Sequence, residues 1–322
     1  MAKNKVSKRK MKSIISSICI VITFIITLYY GYIEYKGNQD NLGKDNNQLK
    51  YTVGNIENAE NININNNKLN IVFFYVGQAD STFIKLNDKT MLIDAGNNED
   101  GNNIVKYLKS IGINKIDYLI GTHADEDHIG GLDDVIKNLE VEKIYMPELG
   151  SDSKNFKNVI KQVNNKNLKI ETPKVGTFFD FSDAKFEVMA QMKGENISKN
   201  NSSIVLKMEY GDTKYLFMGD AEKEVENSRK WEKVDVLKVG HHGSATSSTQ
   251  KFLEQVSPKF AFIQVGKNNS YRLPNVHTIE RLEKVGATVF RTDTNESSFW
   301  ITSDGNSIET NEIQINLDGN DN

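Results

Sequence analysis

The sequence contains a single cysteine, Cys19, and it lies inside an apolar run. No disulfide and no cysteine-based zinc site can form within one chain, so the protein can work in an oxidising compartment without oxidative folding. Histidine is nearly as scarce. The five present are His123, His128, His241, His242 and His277, and all fall in a few short stretches rather than being scattered. A strong positive charge is missing as well. The formal net charge is −3; the first 35 residues hold six basic side chains and one acidic one, so the remainder carries −8. A body with that charge does not grip nucleic acid by bulk electrostatics. With 322 residues, 38% of them hydrophobic and 26% charged, the bulk reads as one large or two small globular domains.

What is present begins with a basic segment, residues 1–12, carrying Lys3, Lys5, Lys8, Arg9, Lys10 and Lys12. Residues 13–33 have no charge and are mostly Ile, Val, Leu, Phe and Tyr. A helix of that length just spans a bilayer, and Tyr29, Tyr30, Tyr32 and Tyr35 cluster at its far end, where an aromatic belt belongs. No small-residue cleavage site follows, which favours a retained anchor over residues 13–35 rather than a signal peptide. Positive charge stays inside, so the expected topology is a single-pass membrane protein with everything after the anchor extracellular. Residues 36–67, rich in Asn, read as a flexible linker. Residues 68–310 form the expected domain and 311–322 a polar tail.

Within the domain, strands are expected at 69–76, 82–86 and 91–94, then a helix at 103–111 and a buried strand at 116–120. Further strands fall at 143–146, 177–181, 185–192, 203–210, 214–218, 234–239, 260–265, 287–291 and 299–302. Helices are expected at 132–139, 155–164, 221–230, 249–256 and 277–285. Hairpins followed by strand–helix alternation, in both halves, indicate an α/β protein built on sheets. Lys154, Lys157, Lys161, Lys166 and Lys169 decorate one region and read as a solvated helix face.

The chemistry concentrates in His123-Ala124-Asp125-Glu126-Asp127-His128, followed by Ile129-Gly130-Gly131. Four candidate metal ligands within six residues occupy the loop between a strand and a helix. Carboxylates alone would suit a helix N-terminus, but flanking histidines and the glycine pair call for metal binding and close chain approach. Asp220 follows a strand in Phe217-Met218-Gly219-Asp220-Ala221, where a helix N-cap is the competing reading. His241 and His242 end another strand. On an extended segment their rings point apart, so one can bind metal while the other faces substrate. His277 opens a helix after Pro274.

Together these stretches resemble the metallo-β-lactamase fold, whose motif is His-x-His-x-Asp-His with a later Asp and a later His. More narrowly they resemble the hydrolase domain of ComEC-type DNA-uptake proteins and its stand-alone relatives, in which Asp replaces the second His, as Asp125 does here. Val76-Gly77-Gln78-Ala79-Asp80, Ile93-Asp94-Ala95-Gly96, Asn200-Asn201-Ser202-Ser203 and Val239-Gly240-His241-His242-Gly243-Ser244 carry the same likeness. The resemblance covers about residues 68–305. It implies a four-layer αββα sandwich, preceded here by one transmembrane helix, with one or two divalent ions, Zn2+ or Mn2+. His123 and Asp125 would hold the first ion; Asp127, His128 and His242 the second; Asp220 would bridge. The family's mid-chain third histidine is absent, and Asn200 or Asn201 offers an amide oxygen instead. It does not extend to a multi-helix pore.

The expected function is a membrane-anchored extracellular phosphodiesterase or nuclease acting on DNA, RNA or a phosphate-linked wall polymer. Asp127 would orient the attacking water, and His241 or His277 would protonate the leaving group. The alternatives are a non-catalytic metal-containing domain that binds DNA or wall polymer, and a lactonase or β-lactamase. The topology has a direct check. Protease added to intact cells should digest the domain; digestion only after lysis would exclude an extracellular location.

Overall fold

The computed structural model describes residues 50–53, 64–148, 151–315 and 317. The expected anchor therefore lies outside the described residues. Among the described residues no helix is long and apolar enough to cross a membrane.

The strands form two sheets. The first runs in the order β1 (Lys50–Val53), β16 (Ser307–Ile313), β15 (Ser298–Ser303), β2 (Leu69–Phe73), β3 (Thr82–Leu86), β4 (Lys89–Ile93), β5 (Lys115–Ile120), β6 (Glu140–Tyr145) and β7 (Ile170–Glu171). The second runs β14 (Thr288–Arg291), β13 (Phe260–Ile263), β12 (Val236–Lys238), β11 (Thr213–Phe217), β10 (Val205–Tyr210), β9 (Ala184–Ala190) and β8 (Phe178–Phe181). Each sheet is antiparallel through its hairpins, then parallel: β4–β5–β6–β7 in the first and β11–β12–β13–β14 in the second. The expected likeness of the two halves is thus a likeness of topology.

Strand β2 shows why the sheets stack. Val72 turns to one face, packed among helix residues Ile104, Leu108 and Val135. Leu69, Ile71 and Phe73 turn to the other face, against residues of the second sheet. A strand buried on both faces has a helix layer on one side and a sheet on the other. The second sheet in turn covers its outer face with Val225, Phe252, Leu253 and Leu282. The layers therefore run helix, sheet, sheet, helix. Rings lock the two sheets together: Phe73 stacks on Phe262 at 4.6 Å, and Tyr118 on Phe179 at 4.8 Å. Offset aromatic pairs of this kind contribute about 1 kcal/mol each beyond the area they bury.

Several expected boundaries move. Lys50–Val53 is a strand within the stretch expected to be linker. Strand β16 continues to Ile313, past the expected start of the tail, because Ile313 is buried in the helix-side core. The helix expected over 221–230 spans only Lys223–Asn227; Trp231 turns inward, its indole N–H donating to the Glu226 carbonyl at 2.7 Å, and ends it. Asp100–Ser110 starts three residues earlier than expected. The motif loop contains its own short helix, Glu126–Ile129.

That loop is held by backbone contact. Ala95 N–H donates to His128 at 2.8 Å, Asp80 N–H to Asp127 at 3.0 Å and Gly96 N–H to Asp80 at 2.9 Å. Gly131 lies where a Cβ would sit 2.5 Å from the Gly101 Cα and closer still to the Ala95 carbonyl oxygen. Real side chains do not fit such spaces without backbone movement. Gly131→Ala should therefore destabilise the fold by about 2 kcal/mol and weaken metal retention, read by urea denaturation and elemental analysis; unchanged values for both would contradict this interlock.

Candidate metal centre

The parallel strands deliver the chemistry. His123 to His128 follow β5, Asp94 follows β4, Asp220 follows β11, and His241 and His242 follow β12. Asp80 comes from the turn before β3, beside the same edge. Loops at the carboxyl ends of parallel strands are where open α/β sheets place ligands. Local backbone choices make the convergence possible. Gly219, before Asp220, has φ 53°, and a Cβ there would lie 3.0 Å from Thr122 Cβ. His241 and His242 both have left-handed backbone, φ 50° and 49°. The expected extended segment is therefore wrong, but the rings still separate, with centroids 6.2 Å apart.

Asp220 is buried at the middle. Its Oδ1 lies 3.2 Å from His128 Nε2. Its Oδ2 lies 3.7 Å from His242 Nε2, 3.8 Å from His241 Nε2 and 3.9 Å from His123 Nε2. Asp125 Oδ2 stands 3.5 Å from His123 Nε2 on one side, and Asp127 Oδ2 stands 3.2 Å from His242 Nε2 on the other. Asp127, His128, Asp220 and His242 each present a ligand atom within 4.8 Å of the others.

Each buried imidazole is aimed from behind. His128 Nδ1 lies 2.8 Å from Asp94 Oδ2, and Asp94 also accepts from the Thr122 amide at 2.8 Å and hydroxyl at 2.7 Å. His242 Nδ1 lies 2.9 Å from the Gln264 carbonyl and 3.2 Å from Asp80 Oδ1. Lys238, a buried lysine, reaches Asp80 at 2.5 Å. Such partners assign the proton to Nδ1 and leave Nε2 as the free lone pair. His123 Nε2, His128 Nε2 and Asp220 Oδ1 are buried without a hydrogen-bond partner among the described residues. Unpaired buried polar atoms cost about 1–3 kcal/mol each; a divalent ion among them removes that cost.

The charges agree. Burial opposes ionisation of Asp220, yet His128 and His242 hold its carboxyl well below the usual range. Burial likewise opposes a proton on His242, but Asp220 and Asp80 push it up to about 10. Burial also works against charge on Asp80, and Lys238 with His242 brings it down to about 2. A field that raises an imidazole's affinity for a proton also attracts a dication.

All six expected metal ligands, His123, Asp125, Asp127, His128, Asp220 and His242, thus come together, with His241 beside them. His277 does not join them: its side chain is 71% exposed and pairs with Glu280 on its own helix at 2.9 Å. Asp220 is no helix cap; Glu222 occupies that position. Asp125 does precede a helix but caps nothing with its side chain. Asn201 is committed elsewhere, its Oδ1 accepting from the Glu222 amide at 3.0 Å, whereas Asn200 lies against His241. The sequence alone assigns no role to Asp80, Asp94, Lys199, Glu222, Lys238 or Gln264. One signal was available: Lys238 is a charge inside an otherwise apolar strand.

The family model described as metallo-beta-lactamase superfamily matches residues 74–267. The chain belongs to this superfamily. ComE operon protein 3 of Bacillus subtilis is 37% identical over 196 residues, 60% of this chain and 25% of that protein. Recombination protein 2 of Haemophilus influenzae is 30% identical over 224 residues, 67% of this chain and 27% of that protein. Competence protein ComA of Neisseria gonorrhoeae is 27% identical over 235 residues, 70% of this chain and 31% of that protein. These relatives bear out the resemblance to the ComEC-type hydrolase domain. The chain spans roughly a quarter to a third of their length. Among solved structures, the metallo-beta-lactamase fold protein YhfI from Bacillus subtilis superposes on 73% of this chain and 100% of its own, with a TM-score of 0.51 and 10% identity. That likeness concerns the fold alone.

Members of this superfamily bind divalent metals, and the atoms converging here fit one. Asp220→Ala removes the central carboxylate. It should lose at least one ion and depress activity more than about 100-fold while leaving the circular dichroism spectrum unchanged. Full metal content with normal turnover would refute the central role.

Proposed function

We propose that this chain is a metal-dependent hydrolase of phosphodiester bonds, anchored in the membrane through residues 13–35 with its domain outside the cell. The observation that carries the hydrolytic reading is Asp220, one buried carboxylate facing four imidazole nitrogens within 4 Å, with Asp125 and Asp127 on its two sides. His123 and Asp125 would hold one ion, Asp127, His128 and His242 a second, and Asp220 both. A divalent ion there supplies Lewis acidity and makes water acidic enough to react near neutral pH.

The chain's own groups do the rest. Asp127 has a side chain 31% exposed, so its outer surface is open to orient an attacking water. His241, 26% exposed, is the imidazole of the cluster that reaches the surface. Its Nδ1 lies 3.3 Å from Glu222 Oε1 and 3.2 Å from Thr246 Oγ1, which set its tautomer. It is suited to donate a proton to a departing oxygen. The carboxylate oxygens of Asp125, Asp127 and Asp220 supply hard donors for an ion that would face a phosphoryl oxygen, and the names of the relatives, competence and recombination proteins, support a nucleic-acid strand as substrate.

Oxygen from Asp125 in place of an imidazole favours manganese relative to zinc. Metal-stripped protein given each ion in turn should hydrolyse a phosphodiester faster with manganese, and Asp125→His should move the preference toward zinc. Turnover of β-lactams or lactones instead would redirect the substrate assignment. Metal binding without turnover of any of these would favour a binding module.

A further inference from the structure

Two cations touch the carboxylates of the centre, and they are placed differently. Lys238 is 3% exposed and sits behind Asp80. Lys199 has a side chain 44% exposed, and its Nζ lies 2.6 Å from Asp125 Oδ1. Asp125 thus uses its two oxygens in opposite directions: Oδ2 faces His123 Nε2, and Oδ1 faces Lys199. An ion beside His123 would engage the inner oxygen and leave the outer one to the lysine. An ammonium has three donors, and Asp125 is the only partner of this one among the described residues.

The base of the side chain is fixed. The Lys199 carbonyl accepts from the Ser202 amide at 2.9 Å and from its hydroxyl at 2.6 Å. The next residue, Asn200, brings its amide within 3.4 Å of His241 Nε2. The turn therefore sets one cation at the mouth of the centre, adjacent to the imidazole assigned to the leaving group. The lysines at 154, 157, 161, 166 and 169 make no ion pair with the cluster among the described residues.

We propose that Lys199 is a substrate-binding residue whose ammonium, seated on the outer oxygen of Asp125, takes a non-bridging oxygen of the phosphodiester at the centre. This rests on the phosphodiesterase reading. A charge-assisted hydrogen bond of this kind corresponds to about a tenfold change in affinity.

The test compares Lys199→Gln and Lys199→Arg with wild-type full-length chain, manganese-loaded, on a single-stranded oligonucleotide. The glutamine variant should keep its metal content and kcat, raise KM about tenfold, and flatten the dependence of log KM on log salt by about 0.7. The arginine variant should restore both. An unchanged KM overturns the proposal, as does loss of metal in the glutamine variant, since the lysine would then act only on Asp125. If the wild type cleaves no phosphodiester, the phosphodiesterase reading fails and Lys199 is judged by calorimetry with inorganic phosphate. Binding weakened about tenfold in Lys199→Gln and kept in Lys199→Arg sustains an oxyanion site; equal binding in all three, or none in the wild type, removes it.

Discussion

The structure depends on a carboxylate that has been taken out of water. Asp220 is 3% exposed, and isolated charge at that depth would cost several kcal/mol. It is tolerated because two loops, after β5 and after β12, bring four imidazoles to it, and two of these, His128 and His242, are in turn held by Asp94, Asp80 and the Gln264 carbonyl. Remove the ring of partners and the carboxylate must protonate or the loops must open. The fold can be seen as the apparatus that makes these loops meet: two parallel strand sets, one per sheet, end at one edge and supply opposing halves of the same site.

Much of this was legible in the sequence. Hydrophobic period and turn residues located most strands, and the order of hairpins before strand–helix units gave the class. The convergence of His123, His128, His241 and His242 was readable because histidine is rare here and these four fall in two short stretches that follow strands. What sequence could not give was geometry across chain distance. Asp80 and Asp94 sit in stretches that carry the family likeness, but only their proximity to His242 and His128 shows what they hold. Lys199 is one lysine among many; only the bond to Asp125 distinguishes it. His277 opens a helix after Pro274, and that helix leaves its side chain exposed and paired with Glu280. The left-handed pair at His241 and His242 was also hidden, since such backbone is uncommon outside glycine.

The boundary errors have a common cause. Periodicity detects the burial of a segment but not its hydrogen-bond partner. Ile313 extends β16 because a neighbouring strand, β15, is there to pair with it. The helix at 223–227 stops where Trp231 turns into the core against Phe252, at 5.2 Å between ring centroids, a tertiary choice that overrides local propensity.

The aromatic layer between the sheets has a consequence beyond stability. Asp94 and His128 belong to the first sheet, Asp220 and His242 to the second, so the spacing of the site is the spacing of the sheets. Phe73 on Phe262 and Tyr118 on Phe179 act as a gauge block, and Gln264, whose amide donates to the Phe74 carbonyl at 2.9 Å and the Ser81 carbonyl at 2.6 Å, ties the gauge to the loops above it. Interiors packed at crystal-like density pass displacement on rather than absorbing it. A shaved ring deep in that layer, touching no ligand, would let one half of the centre slide against the other, and tolerances at reacting atoms are on the order of an ångström. Interior volume is here a dimension of the site.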